Sequence, residues 1–187
     1  IKGQRPSDET GTYRYKFDAP KSWAGQRVKI FFDGVMTDAE IMINGKPAGE
    51  MHQGGFYRFN YDITELLNLG KKNQLEVKVA KESANRSINA AERKADWWLF
   101  GGIYRPVWLE VLPQIHMEHF VLNADHQGKL QAAVDMAGDA KGHEIIVSVR
   151  SLKDGKTVYT SNGQTTITHP INNSDKEQMI SGEWASI

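Results

Sequence analysis

The dipeptide Asn44-Gly45 constrains the fold of this chain more than any other pair of residues. Both residue types adopt positive φ readily, and apolar-alternating runs flank the pair. That combination predicts a two-residue type I′ hairpin, whose twist matches antiparallel strands. The same pattern recurs along the chain. Residues 12–17 alternate, with Tyr13, Tyr15 and Phe17 on one face and Arg14 and Lys16 on the other, as a half-buried strand would. Residues 26–32 turn Val28, Ile30 and Phe32 inward, and residues 73–80 do the same with Leu75, Val77 and Val79. Trp23 reads as a core plug. Asp33-Gly34 makes a turn, residues 39–43 and 56–61 are further strands, and residues 49–55 form a turn region containing His52. Asp62 caps a single helical turn over 63–67. Residues 81–94 have no strand period and are expected as a loop, framing a pocket or simply solvated.

Leu112-Pro113 reads as a boundary. Beyond it a second series of short strands is expected at 115–122, 129–136, 144–152, 157–160 and 165–168, with Asp154-Gly155 as a hairpin turn. The expectation is an all-β chain of two sandwiches, residues 1–113 and 114–187. The second stops short of the roughly 100 residues such a sandwich needs, so it is expected to be truncated.

Composition removes several classes of function. The 187 residues carry 23 Lys plus Arg against 23 Asp plus Glu, so no general electrostatic field attracts a nucleic acid. There is no cysteine, which excludes disulfides and thiolate metal sites. No apolar run approaches the length of a membrane span. His116 and His119 lie three apart on a predicted strand, where alternation turns them to opposite faces. His52 is expected in a turn-stabilising hydrogen bond. His126, His143 and His169 are scattered, and no metal or cofactor site is expected. Asn85-Arg86-Ser87 and Asn172-Asn173-Ser174 match the glycosylation triplet, a pattern common by chance. The chain starts at Ile1 rather than methionine and is expected to be a piece of a longer protein.

The stretch from Asp96 to Val111 (DWWLFGGIYRPVWLEV) contains the chemistry. Val107, Leu109 and Val111 share one strand face, Pro106 suits a strand entry, and Gly101-Gly102 permits a sharp turn. Trp97, Trp98, Phe100 and Tyr104 supply faces on which a pyranose can stack, and Asp96 supplies an acceptor for its hydroxyls. On pattern alone, an aromatic cluster capping the core, with Asp96 as a turn residue, has the edge.

Resemblance favours the sugar site. DWWLFGGIYRPVWLEVLP resembles the end of the N-terminal sugar-binding domain of glycoside hydrolase family 2, through Asp96, Trp98, Gly102, Ile103, Tyr104, Arg105, Val107 and Leu109. GTYRYKF, INGKPAGEMHQGGFYRFNYDITELL and NQLEVKV are similar to segments of that family in the same order. The resemblance covers most of residues 11–113. It implies a jelly-roll domain, then an immunoglobulin-like sandwich, in a β-galactosidase-like, β-glucuronidase-like or β-mannosidase-like enzyme. It implies further that Asp96 binds substrate hydroxyls, that Trp97 and Trp98 shape the rim or support that carboxylate, and that Arg105 is structural. The catalytic glutamates of that family lie on a (β/α)8 barrel C-terminal to these domains. The expected partners are therefore a carbohydrate and the barrel of the same chain, with no nucleic acid and no membrane. No Asn-Glu dipeptide of the family's catalytic type occurs in the sequence, and no catalytic residue is expected in it. A periplasmic or extracellular bacterial enzyme is the expected setting. A free-standing carbohydrate-binding module and an interdomain docking domain are the alternatives that the residues leave open.

Overall fold

The computed structural model describes residues 9–94, 100–126, 129–141, 143, 145–160 and 166–170. The chain divides into two compact units, Ile1–Pro113 and Gln114–Ile187. The all-β class expected from the alternation is the class observed.

In the first unit, one antiparallel sheet runs β1 (Thr10–Ala19), β8 (Lys71–Ala80), β4 (Asp38–Ile43) and β5 (Lys46–Pro47), with β6 (His52–Gln53) also pairing β4. A second sheet runs β10 (Val107–Pro113), β2 (Gln26–Phe32) and β7 (Phe59–Asp62). The inward positions of both meet in one slab: Val28, Ile30 and Phe32 from β2, Ile41 and Ile43 from β4, and Leu75, Val77 and Val79 from β8. This is the period-two burial that the sequence predicts. Trp23, Val107, Leu109 and Val111 are partly buried against the slab.

The Asn44-Gly45 hairpin forms as expected. φ is 53° at Asn44 and 78° at Gly45, and Ile43 pairs with Lys46 across the turn. The Asn44 amide also donates to Asn73 Oδ1 at 2.7 Å and accepts from Gln74 N–H at 2.9 Å, so the turn residue fastens the hairpin to β8. Asp62 caps as expected, accepting from both the N–H and the hydroxyl of Thr64 at the start of a 3-10 turn over Thr64–Leu66.

In the first unit, three expectations change. Tyr13 and Tyr15 pair with Val77 and Leu75, yet they are 42% and 67% exposed where their partners are 0% and 8%. Among the described residues, β1 is an edge strand of the larger sheet that the three-stranded second sheet does not cover, and only Phe17 packs on the slab. The strand expected from residue 56 starts at Phe59, because residues 54–58 curl back and the Tyr57 hydroxyl donates to Gln53 O. The expected loop 81–94 contains a short helix, α1 (Arg86–Glu92), capped by Asn85, whose side chain accepts from Ser87 N–H at 3.0 Å. Asn85 and Ser87 of the Asn-Arg-Ser triplet are thus both part of a helix cap.

The second unit has a sheet of β11 (His116–Ala124), β12 (Lys129–Ala137) and β15 (Thr166–Pro170), and a hairpin of β13 (Ser148–Arg150) and β14 (Thr157–Thr160). The expected strand 144–152 is thus shorter. Gly155 takes φ 70° in the turn between β13 and β14. A register shift between Met117 and His119 places His116 and His119 two rungs apart on the ladder, so the alternation argument does not hold for them. His116 is buried with its Nε2 2.9 Å from Glu118 Oε2, while His119 is exposed.

Candidate functional site

The three residues expected to bind sugar, Asp96, Trp97 and Trp98, lie outside the described residues. The structure does describe the rim of the first unit that flanks them on both sides.

On the downstream side, β9 (Gly102–Ile103) pairs with β3 (Val35–Met36), Met36 opposite Gly102 and Val35 opposite Ile103. Gly102 has φ 94°, where a side chain is strained, and a Cβ there would lie 2.1 Å from the Tyr13 hydroxyl, which would have to move aside. Phe100 is exposed, and Tyr104 more than a third so. The Arg105 guanidinium lies over the Tyr104 ring, 5.3 Å from its centroid. Pro106 accepts from Asp33 N–H at 3.0 Å at the entry to β10, as its position predicts.

Upstream, the end of β8 and α1 are held by polar contacts rather than apolar ones. Thr37 N–H donates to Ala80 O at 2.8 Å. The Thr37 hydroxyl donates to Lys81 O and accepts from Arg93 Nη2, both at 3.2 Å. Buried Asp38 accepts at Oδ2 from Ala84 N–H at 2.8 Å and from the Gln53 amide at 3.0 Å. Asn89 reaches back from α1 to both the N–H and the carbonyl of Ser83. Among the described residues, two buried polar side-chain atoms make no hydrogen bond: Asp38 Oδ1, an acceptor, and Arg93 Nε, a donor.

Between these sides sits the Gly54-Gly55 turn. Gly54 has φ 115°, and its carbonyl lies 2.9 Å from His52 Nε2, which fixes that nitrogen as the donor. This is the turn hydrogen bond expected for His52. Burial of the ring lowers its pKa below 6.5, against the raising effects of the Gly54 carbonyl, Glu92 and Asp38. The ring also stacks on Phe59 at 3.5 Å between centroids. Gly55 N–H donates to Glu92, at 3.0 Å from Oε1 and 2.9 Å from Oε2, and Gly55 O accepts from the Tyr104 hydroxyl.

A second cluster lies on the Asp33-Gly34 turn. Asp33 Oδ1 accepts from Trp108 Nε1 at 3.1 Å and from Arg58 Nε at 2.7 Å. The indole donor first, and then Arg58, hold its carboxyl below 3.8 against desolvation. Trp108 stacks on Phe31 with centroids 4.2 Å apart, and Arg58 lies over its ring at 5.4 Å. A carboxylate beside an indole thus has a fixed partner here, at a pair distinct from Asp96 and its tryptophans.

Sequence reasoning missed Glu92, Asp38 and Gly55. Asp38 hides beside the strand run 39–43, where a lone carboxyl reads as a solvated turn. For Glu92 a signal existed: Asn85 followed by Arg-Ser-Ile-Asn-Ala-Ala-Glu is a capped helical turn. Among the described residues no three of His, Cys, Asp and Glu gather as metal ligands, and no helix is long and apolar enough to cross a membrane.

Comparison with known proteins matches this geometry to a family. Residues 2–113 match the family described as "Glycosyl hydrolases family 2, sugar binding domain". A β-galactosidase of Thermoanaerobacter pseudethanolicus is 33% identical over 133 residues, 71% of this chain and 18% of that protein. A β-galactosidase of Bacteroides ovatus is 31% identical over 152 residues, 78% of this chain and 17% of that protein. Among solved structures, a β-glucuronidase of Faecalibacterium prausnitzii superposes with a TM-score of 0.67 at 27% identity, covering 87% of this chain and 31% of that one. The chain therefore spans less than a fifth of the length of these curated relatives. With the sugar-binding domain's match running over nearly the whole first unit, the chain belongs to family 2 of the glycosyl hydrolases.

Proposed function

We propose that this chain is the N-terminal, non-catalytic part of a retaining, β-galactosidase-like enzyme that hydrolyses O-glycosidic bonds in carbohydrates. The observation that carries this reading is the match of residues 2–113 to a sugar-binding domain, in a chain that spans under a fifth of relatives named as β-galactosidases. Residues 1–113 serve as a jelly-roll domain at the mouth of the pocket, and residues 114–187 as most of an immunoglobulin-like sandwich. A (β/α)8 barrel of the same chain supplies the acid/base and the nucleophile, two carboxyl groups roughly 5 Å apart.

Within that arrangement Asp96 accepts hydrogen bonds from sugar hydroxyls, and Trp97 and Trp98 form the adjoining rim. A carboxylate acceptor for a neutral hydroxyl makes a charge-assisted bond, stronger than a neutral pair. The test is Asp96→Ala in the full-length protein. KM rises or kcat falls by about tenfold or more, a loss of transition-state binding, while the melting temperature barely moves. Unchanged kinetics overturn the assignment. Calorimetry of the isolated fragment with β-linked oligosaccharides is silent on this reading, and clear binding there turns the assignment to a free-standing module.

A further inference from the structure

Gly55 collects contacts from both sides of residues 95–99. Glu92, the last residue of α1, sets both carboxylate oxygens on Gly55 N–H. Tyr104, beyond β9, donates to the carbonyl of the same residue. The approach is tight, since a Cβ at Gly55 would lie 2.8 Å from Met36 Cε and 3.3 Å from Glu92 Oε2. The turn is itself anchored, through the His52 contact to Gly54 O and the stacking of His52 on Phe59 of β7. A second tie runs parallel to the first: Arg93 holds Thr37, and Gly102 pairs with Met36, the residue before it. Both flanks of the aromatic segment are thus fastened twice to the same rim.

The geometry points to Glu92 as a positioning residue for carbohydrate binding, acting by closing the Glu92–Gly55–Tyr104 clasp across the two flanks of the aromatic segment. The proposal rests on the reading of Asp96 as the sugar-binding carboxylate. A carboxylate on a backbone N–H makes a charge-assisted bond. With Tyr104 on the carbonyl of the same residue, the clasp fixes the distance between the flanks before any ligand arrives. Order supplied in advance is not taken from the binding free energy, so its loss appears in affinity.

The experiment uses the full-length protein with chromogenic aryl β-galactoside and aryl β-glucuronide substrates. Glu92→Ala raises KM about five- to twentyfold with kcat nearly unchanged, the pattern of lost binding common to substrate and transition state. Glu92→Gln keeps an acceptor oxygen for Gly55 N–H and restores most of the affinity. Tyr104→Phe moves KM in the same direction. In an Asp96→Asn background, Glu92→Ala adds less than about twofold, because residues acting as one unit are not additive. An unchanged KM in Glu92→Ala, with a raised KM in Asp96→Asn, overturns the clasp and leaves the Asp96 reading standing. Equal KM effects of Glu92→Ala in both backgrounds also overturn it, since Glu92 then acts independently of Asp96. Should Asp96→Asn be neutral, or should the protein cleave neither substrate, both readings fall together.

Discussion

The slab and the rim of the first unit are built by different rules. Between the sheets, Val28, Ile30, Phe32, Ile41, Ile43, Val77 and Val79 are almost wholly buried, and each stabilises the fold by about 1.5–3 kcal/mol through apolar burial. Around Gly55, Asp38 and Thr37 the contacts are hydrogen bonds, each contributing a net 0.5–1.5 kcal/mol or about that. The slab tolerates the loss of direction in any one contact because dispersion is not directional. The rim does not, because its contacts specify where backbone groups sit. Stability therefore resides chiefly in the slab, and the placing of the segments around residues 95–99 in the rim.

The largest effect should come from the slab. Phe32 is fully buried, stacks on Phe59 at 5.0 Å and pairs with both Val107 and Phe59 across the second sheet. Phe32→Ala is expected to cost about 3–5 kcal/mol, the lost transfer energy plus the cavity. Tyr15→Ala, on the uncovered face of β1, should cost a small fraction of that. Urea unfolding of both variants measures the gap. Similar losses would mean that β1 is covered in solution and that the two faces are not distinct.

A smaller loss is expected at the rim. Asp38→Ala leaves Ala84 N–H without its acceptor and the Gln53 amide with only its 3.4 Å contact to Ser83 Oγ, at a cost of about 1–2 kcal/mol because both donors are only partly shielded from water. Asp38→Asn retains one acceptor oxygen and replaces the unpartnered Oδ1 with a neutral amide group, so it should cost less than half as much. Hydrogen exchange at Ala84 sharpens the comparison: protection falls in the alanine variant and persists in the asparagine one. If the two variants lose equal stability, the contacts of Asp38 Oδ2 are not what holds the 81–85 segment.

How far each region can be read from sequence follows from the same difference. Alternation names the slab, because burial on one face of a strand imposes a period on residues adjacent in sequence. Asn44-Gly45 names its own turn, since positive φ is a local demand. The rim has no such local signature. Asp38 and Ala84, or Gly55 and Glu92, are far apart in sequence, and nothing in either partner's neighbours announces the pairing. The helix at 86–92 was legible from its cap but lies in a stretch without strand period, where a loop is the simpler reading. The exposure of Tyr13 and Tyr15 was not legible, because alternation shows which face a residue takes and not whether a second sheet covers it. The family's motif ran ahead of the physics at Asp96, Trp97 and Trp98, which lie outside the described residues.

The smallest expected effect tests whether a rim-type contact contributes to the slab at all. Asp62, at the end of β7, is partly desolvated, which raises its carboxyl pKa. The Thr64 hydroxyl and N–H and the Arg27 guanidinium outweigh that and bring it below 3.8. Thr64 Oγ1 in turn accepts from Val28 N–H at 2.9 Å, so the carboxylate is linked through one hydroxyl to a buried residue of β2. A carboxyl with a depressed folded pKa stabilises the fold fully above its unfolded value. That contribution is lost as pH falls through the folded value. The Asp62 side chain is 35% exposed, so solvent screening should hold the contribution below about 1 kcal/mol. The stability difference between wild type and Asp62→Asn should be constant from about pH 7 to pH 5 and shrink below about pH 4, as the wild-type carboxyl takes up its proton. A difference that stays flat to the lowest pH at which both proteins remain folded would show that the charge on Asp62 contributes nothing. The cap would then act through hydrogen-bond geometry alone, and the Arg27 pair would add nothing to the slab it borders.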